Sequence, residues 1–248
     1  MKKGNFILIL FVAGIVYSCS TARFSYLAEP EHEADSTYIN HYAYSLCYDE
    51  GTEQAKWVSY DLKKSDLVAN CKRKDSFMSD TMVSSQTAGN RDYKSKGYDR
   101  GHLAPAGDML RNKRAMRESF YYSNISPQLP SFNRGIWKKL EMNIREWVNR
   151  YGRLYITCGP VFSNSYNTIG EDSVAIADYF FKTILVDNPK EKFCVGFLFP
   201  HIKCEGDIFN YAVTVDSLEK VTGLDMYPKL PNRIEKEIES EYSIAPWK

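Results

Sequence analysis

The longest stretch of helical periodicity in this 248-residue chain lies between residues 131 and 151. Apolar residues recur there mostly at spacings of three and four, which predicts one long helix with a single apolar face. Ser131 or Asn133 is the expected N-cap, and Gly152 follows the expected end of the helix. The apolar stripe consists of Ile136, Trp137, Leu140, Ile144, Trp147, Val148 and Tyr151.

Runs of alternating or continuous apolar residues elsewhere predict strands. They cover residues 42–48, 57–62, 153–157, 179–186, 193–199 and 211–215, and the first two are expected to pair as a hairpin. Shorter helices are expected at residues 217–222, closed by Gly223, and at residues 231–240. Because strands and helices do not alternate regularly, we predict an α+β fold with a mainly antiparallel central sheet and flanking helices.

The N-terminus has the pattern of an export signal. Lys2 and Lys3 precede an apolar run over residues 6–17, and the run ends in Val-Tyr-Ser-Cys, which resembles a bacterial lipobox with Cys19 as the lipidated residue. We therefore expect a signal peptide at 1–18, a polar, acidic tether at 19–40 and one domain at 41–248. The expected location is the bacterial cell envelope, periplasmic or surface-exposed, with a lipid anchor in the membrane. An uncleaved signal anchor is the alternative.

Charge and cysteine content narrow the class of protein. The chain has 32 basic and 31 acidic residues, so any binding of phosphate has to come from a local cluster rather than from overall basicity. Six cysteines occur without a CxxC pair, which argues against a zinc site built on cysteines. Cys194 and Cys204 are close enough in sequence to bridge a short loop, although the sequence leaves the disulfide pairing and the oligomeric state open.

One of the four histidines has neighbours suited to chemistry. His102 lies two residues after Arg100, whose guanidinium can hold a phosphate through two hydrogen bonds. The intervening Gly101 lets the backbone approach a substrate closely. An imidazole that is neutral near pH 7 can remove a proton from water. A lone histidine is more often structural, so the hypothesis that His102 is a catalytic base depends on these neighbours.

Asn133 and Glu141 lie eight residues apart on the predicted helix. On an ideal helix that spacing leaves them about 80° apart, so an amide oxygen and a carboxylate can flank one site. Hard oxygen ligands suit Mg²⁺, which keeps several waters and needs few protein ligands. Taken alone, Asn133 has the simpler interpretation of a helix cap, and Glu141 that of a solvated side chain.

The two motifs together resemble a known family. Asp-Arg-Gly-His-Leu-Ala-Pro-Ala at 99–106 resembles the signature of the DNA/RNA non-specific endonucleases, which include secreted bacterial nucleases and mitochondrial endonuclease G. Residues 124–128, followed by Asn133, Trp137, Leu140 and Glu141, match the family's metal-helix pattern in order and spacing. The resemblance extends from about residue 41 to residue 231 and implies a ββα-metal finger at the active site.

The resemblance also implies a role for each site residue. His102 is implied to be the general base, Asn133 the direct protein ligand of Mg²⁺, with Mn²⁺ as a substitute, and Glu141 to orient the waters around the ion. Arg100 is implied to hold the scissile phosphate, and Arg73 resembles the family's second phosphate-binding arginine. Asn124 is implied to support the geometry of the site, and Asp99 to brace the motif without a chemical step. The implied reaction is hydrolysis of DNA and RNA with little sequence specificity and 5′-phosphate products.

Three other functions remain to be weighed. A nucleic-acid binding module that no longer cuts is disfavoured by the intact His102, Asn133 and Glu141. A phosphoesterase of small diesters would use the same groups, and competition between plasmid and a small diester separates it from a nuclease. An antibacterial toxin with nuclease activity is a third alternative.

Overall fold

The computed structural model describes residues 27–31 and 37–248. Expectations for the signal segment, for Cys19 and for His32 lie outside the described residues. The strands are β1 (Thr37–Asn40), β2 (Ser45–Asp49), β3 (Gln54–Lys63), β4 (Asp99–His102), β5 (Ile125–Gln128), β6 (Arg153–Val161), β7 (Thr168–Ile169), β8 (Val174–Ala175), β9 (Tyr179–Asp187), β10 (Lys192–Pro200) and β11 (Ala212–Val213). The α-helices are α1 (Asn90–Tyr93), α2 (Lys113–Glu118), α3 (Pro130–Phe132), α4 (Lys138–Tyr151), α5 (Val215–Thr222) and α6 (Asn232–Ser240).

A seven-stranded sheet forms the centre of the domain, in the order β1-β2-β3-β6-β9-β10-β11. Every neighbouring pair in it is antiparallel, so the predicted α+β class and antiparallel sheet are confirmed. The predicted hairpin is the pair β2 and β3. Strands β4 and β5 form a separate antiparallel pair, as do β7 and β8.

The alternation of side chains along β6 and β9 divides the core between the two faces of the sheet. Leu154 and Ile156 belong to the apolar cluster that contains α4, whereas Tyr155 belongs to the cluster that contains α5. Helix α4 buries Leu140, Ile144, Trp147 and Val148 on the first face. Because α4 also carries Glu141, this face of the sheet is the one that supports the candidate site.

The end of α4 is held by local and long-range contacts. Gly152 ends the helix at φ 81°, a conformation that L residues rarely adopt, and its N–H donates to the carbonyl of Val148. The indole Nε1 of Trp147 donates to the carbonyl oxygen of Trp247 at 2.7 Å, and the two rings pack with centroids 4.8 Å apart. The C-terminal residues therefore fix α4 against the sheet.

Four expectations differ from the structure in detail. Residues 37–40 of the predicted tether form β1. Residues 28–30 of the tether are buried, and the carboxylate of Glu29 accepts hydrogen bonds from the hydroxyls of Tyr38 and Ser45. The strand expected at 211–215 is shortened to β11, since Thr214 caps α5. Cys194 and Cys204 are thiols whose Sγ atoms face different carbonyls, those of Ile238 and Pro200. The fourth difference, the start of the long helix, lies in the site.

Within residues 27–31 and 37–248, none of the helices combines the length and apolar character needed to cross a bilayer.

Candidate active site

Two strands and one interrupted helix form the frame of the site. Strand β4 pairs antiparallel with β5, so that His102 lies opposite Ile125 at one end of the pair. The chain then passes directly into α3, through a π turn at Asn133–Trp137, and into α4. The indole Nε1 of Trp137 donates to the backbone carbonyl of His102 at 3.2 Å, which ties the helix to the end of β4.

The start of the helix explains the position of Asn133. The expected caps, Ser131 and Asn133, are both wrong, because the helix begins earlier, with Pro130 in its first turn. Asn133 instead opens the π turn, in which Gly135 departs from helical geometry at φ −99° and ψ −112°. The angle of about 80° expected on an ideal helix therefore does not apply across this kink. Asn133 and Glu141 both line the same cleft.

Asp99 joins β4 to the π turn. Its Oδ2 accepts hydrogen bonds from Asn133 Nδ2 at 2.9 Å and from Arg134 Nε at 2.8 Å, and its Oδ1 accepts from Arg134 Nη2 at 2.6 Å. Burial alone would raise the pKa of Asp99, but the hydrogen bonds from Arg134 and Asn133 outweigh it and lower that pKa. Because Nδ2 is engaged, the amide of Asn133 is oriented with its oxygen available as a ligand.

The imidazole of His102 is held by aromatic packing. Its ring lies 4.8 Å from Phe120 in an edge-on arrangement and 5.6 Å from Phe77, measured between centroids. Its Nε2 is buried and has no hydrogen-bond partner in the described part of the chain. Burial, followed by the positive charge of Arg73, lowers the pKa of His102 to about 3. The ring is therefore neutral at pH 7, as a general base must be.

Five of the predicted site residues line one cleft of about 340 Å³: Arg73, Arg100, His102, Asn133 and Glu141. The guanidinium of Arg100 lies 4.1 Å from the centroid of Phe77 and donates to Asn90 Oδ1 at 2.9 Å. Arg73 pairs with Asp75 at 2.6 Å while its guanidinium faces Phe120 at 5.4 Å. The structure thus places two arginines beside the imidazole and the two oxygen donors.

Asn124, the sixth predicted residue, supports the site from behind. Its side chain is fully buried, accepts from the N–H of Ala104 and donates to the carbonyls of Ala104 and Ser119, each at 2.9 Å. These bonds hold the turn that directly follows His102. Gly101 also has a structural role, because a Cβ there would lie 2.2 Å from the side chain of Gln128. The expected close approach of its backbone to a substrate stays a prediction.

The other described histidines are structural, as expected from their sequence contexts. His41 Nε2 lies 2.8 Å from Asp80 Oδ2 in the core. His201 Nε2 accepts from the N–H of Leu129 at 2.8 Å and so fixes the start of α3. Neither lines the cleft.

Three further cations line the cleft: Arg134, Lys138 and Arg145. Arg145 pairs with Asp108 at 2.7 Å and lies 3.7 Å from Glu141. A Cβ at Gly107 would meet the Arg145 guanidinium at 2.5 Å, so this glycine makes room for the pair. The spacing of four residues from Glu141 along the helix was the signal for Arg145 that sequence reasoning could have used.

Lys182 lies beneath the site in a position that the strand pattern assigns to an apolar residue. Its side chain is fully buried on β9, and Nζ has no hydrogen-bond partner in the described residues but lies 4.2 Å from the Trp137 ring. Burial raises the pKa of Glu141 to about 7, and the charge of Lys182 opposes that rise. Lys182 therefore offsets part of the cost of burying the carboxylate.

The donor set fits a magnesium ion. Asn133 and Glu141 provide an amide oxygen and a carboxylate in the same cleft, and hard oxygen donors in small number are what Mg²⁺ binds. A carboxylate whose pKa is raised to about 7 by burial is one that a nearby cation stabilises in its charged form. The excess of positive side chains around these two donors fits a phosphate group beside the ion.

Comparison with known proteins identifies the family of the chain. The model of the DNA/RNA non-specific endonuclease family matches residues 26–233. The mitochondrial nuclease EXOG of Danio rerio is 35% identical over 219 residues, covering 81% of this chain and 63% of that protein. The mitochondrial endonuclease G of Bos taurus is 30% identical over 203 residues, covering 76% of this chain and 68% of that protein. The chain spans less than two thirds of the length of the EXOG relatives.

A solved structure of the EndoG/EndoGI complex resembles the fold with a TM-score of 0.74 at 26% identity, covering 80% of this chain and 88% of that chain. The ββα frame and the likeness to EndoG define a ββα-metal nuclease fold. The chain belongs to the DNA/RNA non-specific endonuclease family and is similar to endonuclease G and EXOG. The family match begins near residue 26, in agreement with the packing of residues 27–31.

Proposed function

We propose that this protein is a Mg²⁺-dependent endonuclease that hydrolyses phosphodiester bonds of DNA and RNA with little sequence specificity. One observation carries the proposal: a neutral imidazole, two oxygen donors and two arginines line the same cleft. The names and family of the relatives support a nuclease. Contacts to phosphate carry no sequence information, so a site of this composition does not discriminate between base sequences.

The residues divide the reaction between them. Arg100 and Arg73 bind the non-bridging oxygens of the scissile phosphate and place its phosphorus beside the imidazole. His102 accepts a proton at a ring nitrogen from the water that attacks phosphorus. The bond from phosphorus to the 3′ oxygen breaks, the leaving oxygen takes up a proton from solvent water, and the products are a 5′-phosphate and a 3′-hydroxyl. Asn133 would be the direct protein ligand of Mg²⁺ and Glu141 would orient its waters, and the ion would supply charge relief for the phosphate and the leaving oxygen.

Digestion of four substrates tests this proposal. The purified domain is incubated with single-stranded DNA, double-stranded DNA, RNA and a small phosphodiester over a titration of Mg²⁺ and of Mn²⁺. We expect cleavage of all three nucleic acids that stops when the metal is chelated. Cleavage of the small diester alone would favour a phosphoesterase, and binding of nucleic acid without cleavage would favour a binding module.

Asp99→Ala is expected to weaken metal-dependent activity by about 10- to 100-fold, because partners that orient a metal ligand typically have effects of this size. The substitution releases both the amide of Asn133 and the guanidinium of Arg134. The measurement is the Mg²⁺ concentration needed for half-maximal plasmid cleavage. Asp99→Asn is the matched control, because it retains an acceptor oxygen and should lie between the parent and Asp99→Ala. Equal metal requirements in all three proteins would contradict the bracing role.

We further propose that the chain is exported and anchored to a membrane by lipid on Cys19. The basic residues at 2–3, the apolar run at 6–17 and the lipobox-like end of that run support this proposal. Cys19→Ser is expected to abolish the incorporation of labelled palmitate that the parent shows in a bacterial host. An uncleaved signal anchor predicts no labelling of either protein.

A further inference from the structure

Residues 72–78 separate the catalytic cleft from a second pocket. Arg73 lines the cleft, and the Phe77 ring packs against His102. The even-numbered residues of this segment face the other way. Lys72, Lys74, Ser76 and Met78 line a pocket of about 500 Å³. The side chains alternate as in an extended chain, so one wall of backbone has the catalytic site on one side and this pocket on the other.

Both ends of this wall are fixed by backbone hydrogen bonds. The N–H of Cys71 donates to the carbonyl of Leu110 at 3.1 Å. At the other end, the N–H of Met78 donates to the carbonyl of Phe120 at 3.1 Å, and the N–H of Tyr122 donates to the carbonyl of Met78 at 3.0 Å. The pocket therefore has a defined position relative to Arg73 and the imidazole.

The second pocket combines an apolar floor with a basic rim. Cys71, Met78 and Met116 provide sulfur-containing side chains, whereas Lys72, Lys74, Lys113 and Arg117 provide four exposed positive charges. No acidic side chain lines the pocket, and none of the four cations forms an ion pair with another described residue. Apolar sulfur atoms make favourable contacts with aromatic rings, and unpaired cations attract phosphates.

We propose that this flanking pocket, lined by Cys71, Lys72, Lys74, Ser76, Met78, Lys113, Met116 and Arg117, binds a nucleotide of the substrate strand next to the scissile phosphate. The base lies against the methionines, and neighbouring phosphates contact the basic rim. This inference rests on the proposed nuclease function and refines it. A polynucleotide that fills both the cleft and the flanking pocket is a better substrate than a small diester, which fills the cleft alone.

Charge removal tests the rim. The variant Lys74→Ala/Lys113→Ala/Arg117→Ala is compared with Lys190→Ala/Lys220→Ala/Lys236→Ala, which removes the same charge from exposed lysines elsewhere. Affinity for a fluorescent single-stranded oligonucleotide is measured by anisotropy in EDTA, so that no cleavage occurs. We expect Kd to be about 10-fold higher for the rim variant than for the parent. The decrease of the logarithm of the association constant with the logarithm of salt concentration should be less steep by about 2, while the control stays near the parent.

Cleavage kinetics give a second readout. The rim variant should raise KM for an oligonucleotide without changing kcat, and it should cleave the small diester like the parent. The base contact is tested with oligonucleotides in which every linkage but one is a phosphorothioate, so that only one bond is cleavable. One oligonucleotide has an abasic residue on the 5′ side of that bond, and a second has it on the 3′ side. One of the two abasic positions should raise KM for the parent and have less effect in the rim variant.

The outcomes separate the two proposals. A rim variant with the same Kd, KM and salt slope as its control overturns the flanking pocket, even where the parent cleaves nucleic acid normally. If the parent protein cleaves none of the substrates, the proposed function is overturned instead. The anisotropy comparison then still decides whether the pocket binds a strand. Abasic residues with no effect on KM at either position would overturn the base contact.

Discussion

His102→Ala is expected to lower kcat for plasmid cleavage by about 10²- to 10⁴-fold, the range that a positioned general base contributes. The imidazole lines the cleft beside Arg73 and Arg100, and burial keeps it neutral at pH 7. Binding of nucleic acid should change little, because the arginines proposed to contact phosphate are retained. The measurement is single-turnover cleavage of plasmid with saturating Mg²⁺, together with anisotropy for binding.

Two controls separate the chemistry of this substitution from folding. Thermal unfolding of His102→Ala detects any loss from the removed packing against Phe77 and Phe120. Added imidazole can enter the space left by the ring, and it should restore part of the lost rate in a concentration-dependent manner. Full activity in His102→Ala without imidazole would refute the assignment of the base.

Asn133→Ala is expected to have the second largest effect, because it removes the direct protein ligand proposed for Mg²⁺. The expected result is a fall in cleavage of about 10²-fold or more at a fixed low Mg²⁺ concentration, partly recovered at high Mg²⁺. The substitution should leave nucleic-acid affinity in EDTA unchanged. A Mg²⁺ titration of the cleavage rate, analysed for its maximum and its midpoint, measures both effects.

Asn143→Ala is the matched control, because Asn143 is on the same helix, outside the cleft, and its amide donates to the carbonyl of Lys139 at 2.8 Å. This control should show the metal dependence of the parent. Asn133→Asp keeps an oxygen donor but replaces the N–H that binds Asp99 with a like charge, so an intermediate activity is expected. A midpoint for Asn133→Ala equal to that of Asn143→Ala would contradict the assignment of the metal ligand.

Hydrophobic periodicity and local motifs in the sequence predict much of the fold and of the candidate site. The stripe of apolar residues over 136–151 predicts the buried face of α4, and alternation predicts most strands of the sheet. The short distance in sequence between Arg100 and His102 placed both in one motif, and β4 keeps them in one cleft. The resemblance to the family then joined that motif to Asn133 and Glu141.

Features that depend on tertiary context could not be predicted from the sequence. The π turn at Asn133–Trp137 contains Gly135 in a non-helical conformation, which the apolar spacing of three and four does not reveal. The burial of Lys182 contradicts the rule that places lysines at the surface. Its charge acts on the carboxylates of Glu141 and Asp108, and its Nζ lies over the Trp137 ring, which are contacts that the sequence does not show. Gly101 is required by the side chain of Gln128, a contact between strands 27 residues apart in sequence.

The central claim is that the imidazole of His102 and a cation held by Asn133 act on one phosphate. The most direct test is a crystal structure of His102→Ala with a DNA oligonucleotide and Mg²⁺. We predict density for an ion about 2.1 Å from Asn133 Oδ1. The scissile phosphate should contact both this ion and Arg100, and it should lie next to the position vacated by the imidazole of residue 102. An ion bound away from Asn133, or a phosphate that contacts the ion but lies outside the reach of residue 102, would contradict the claim.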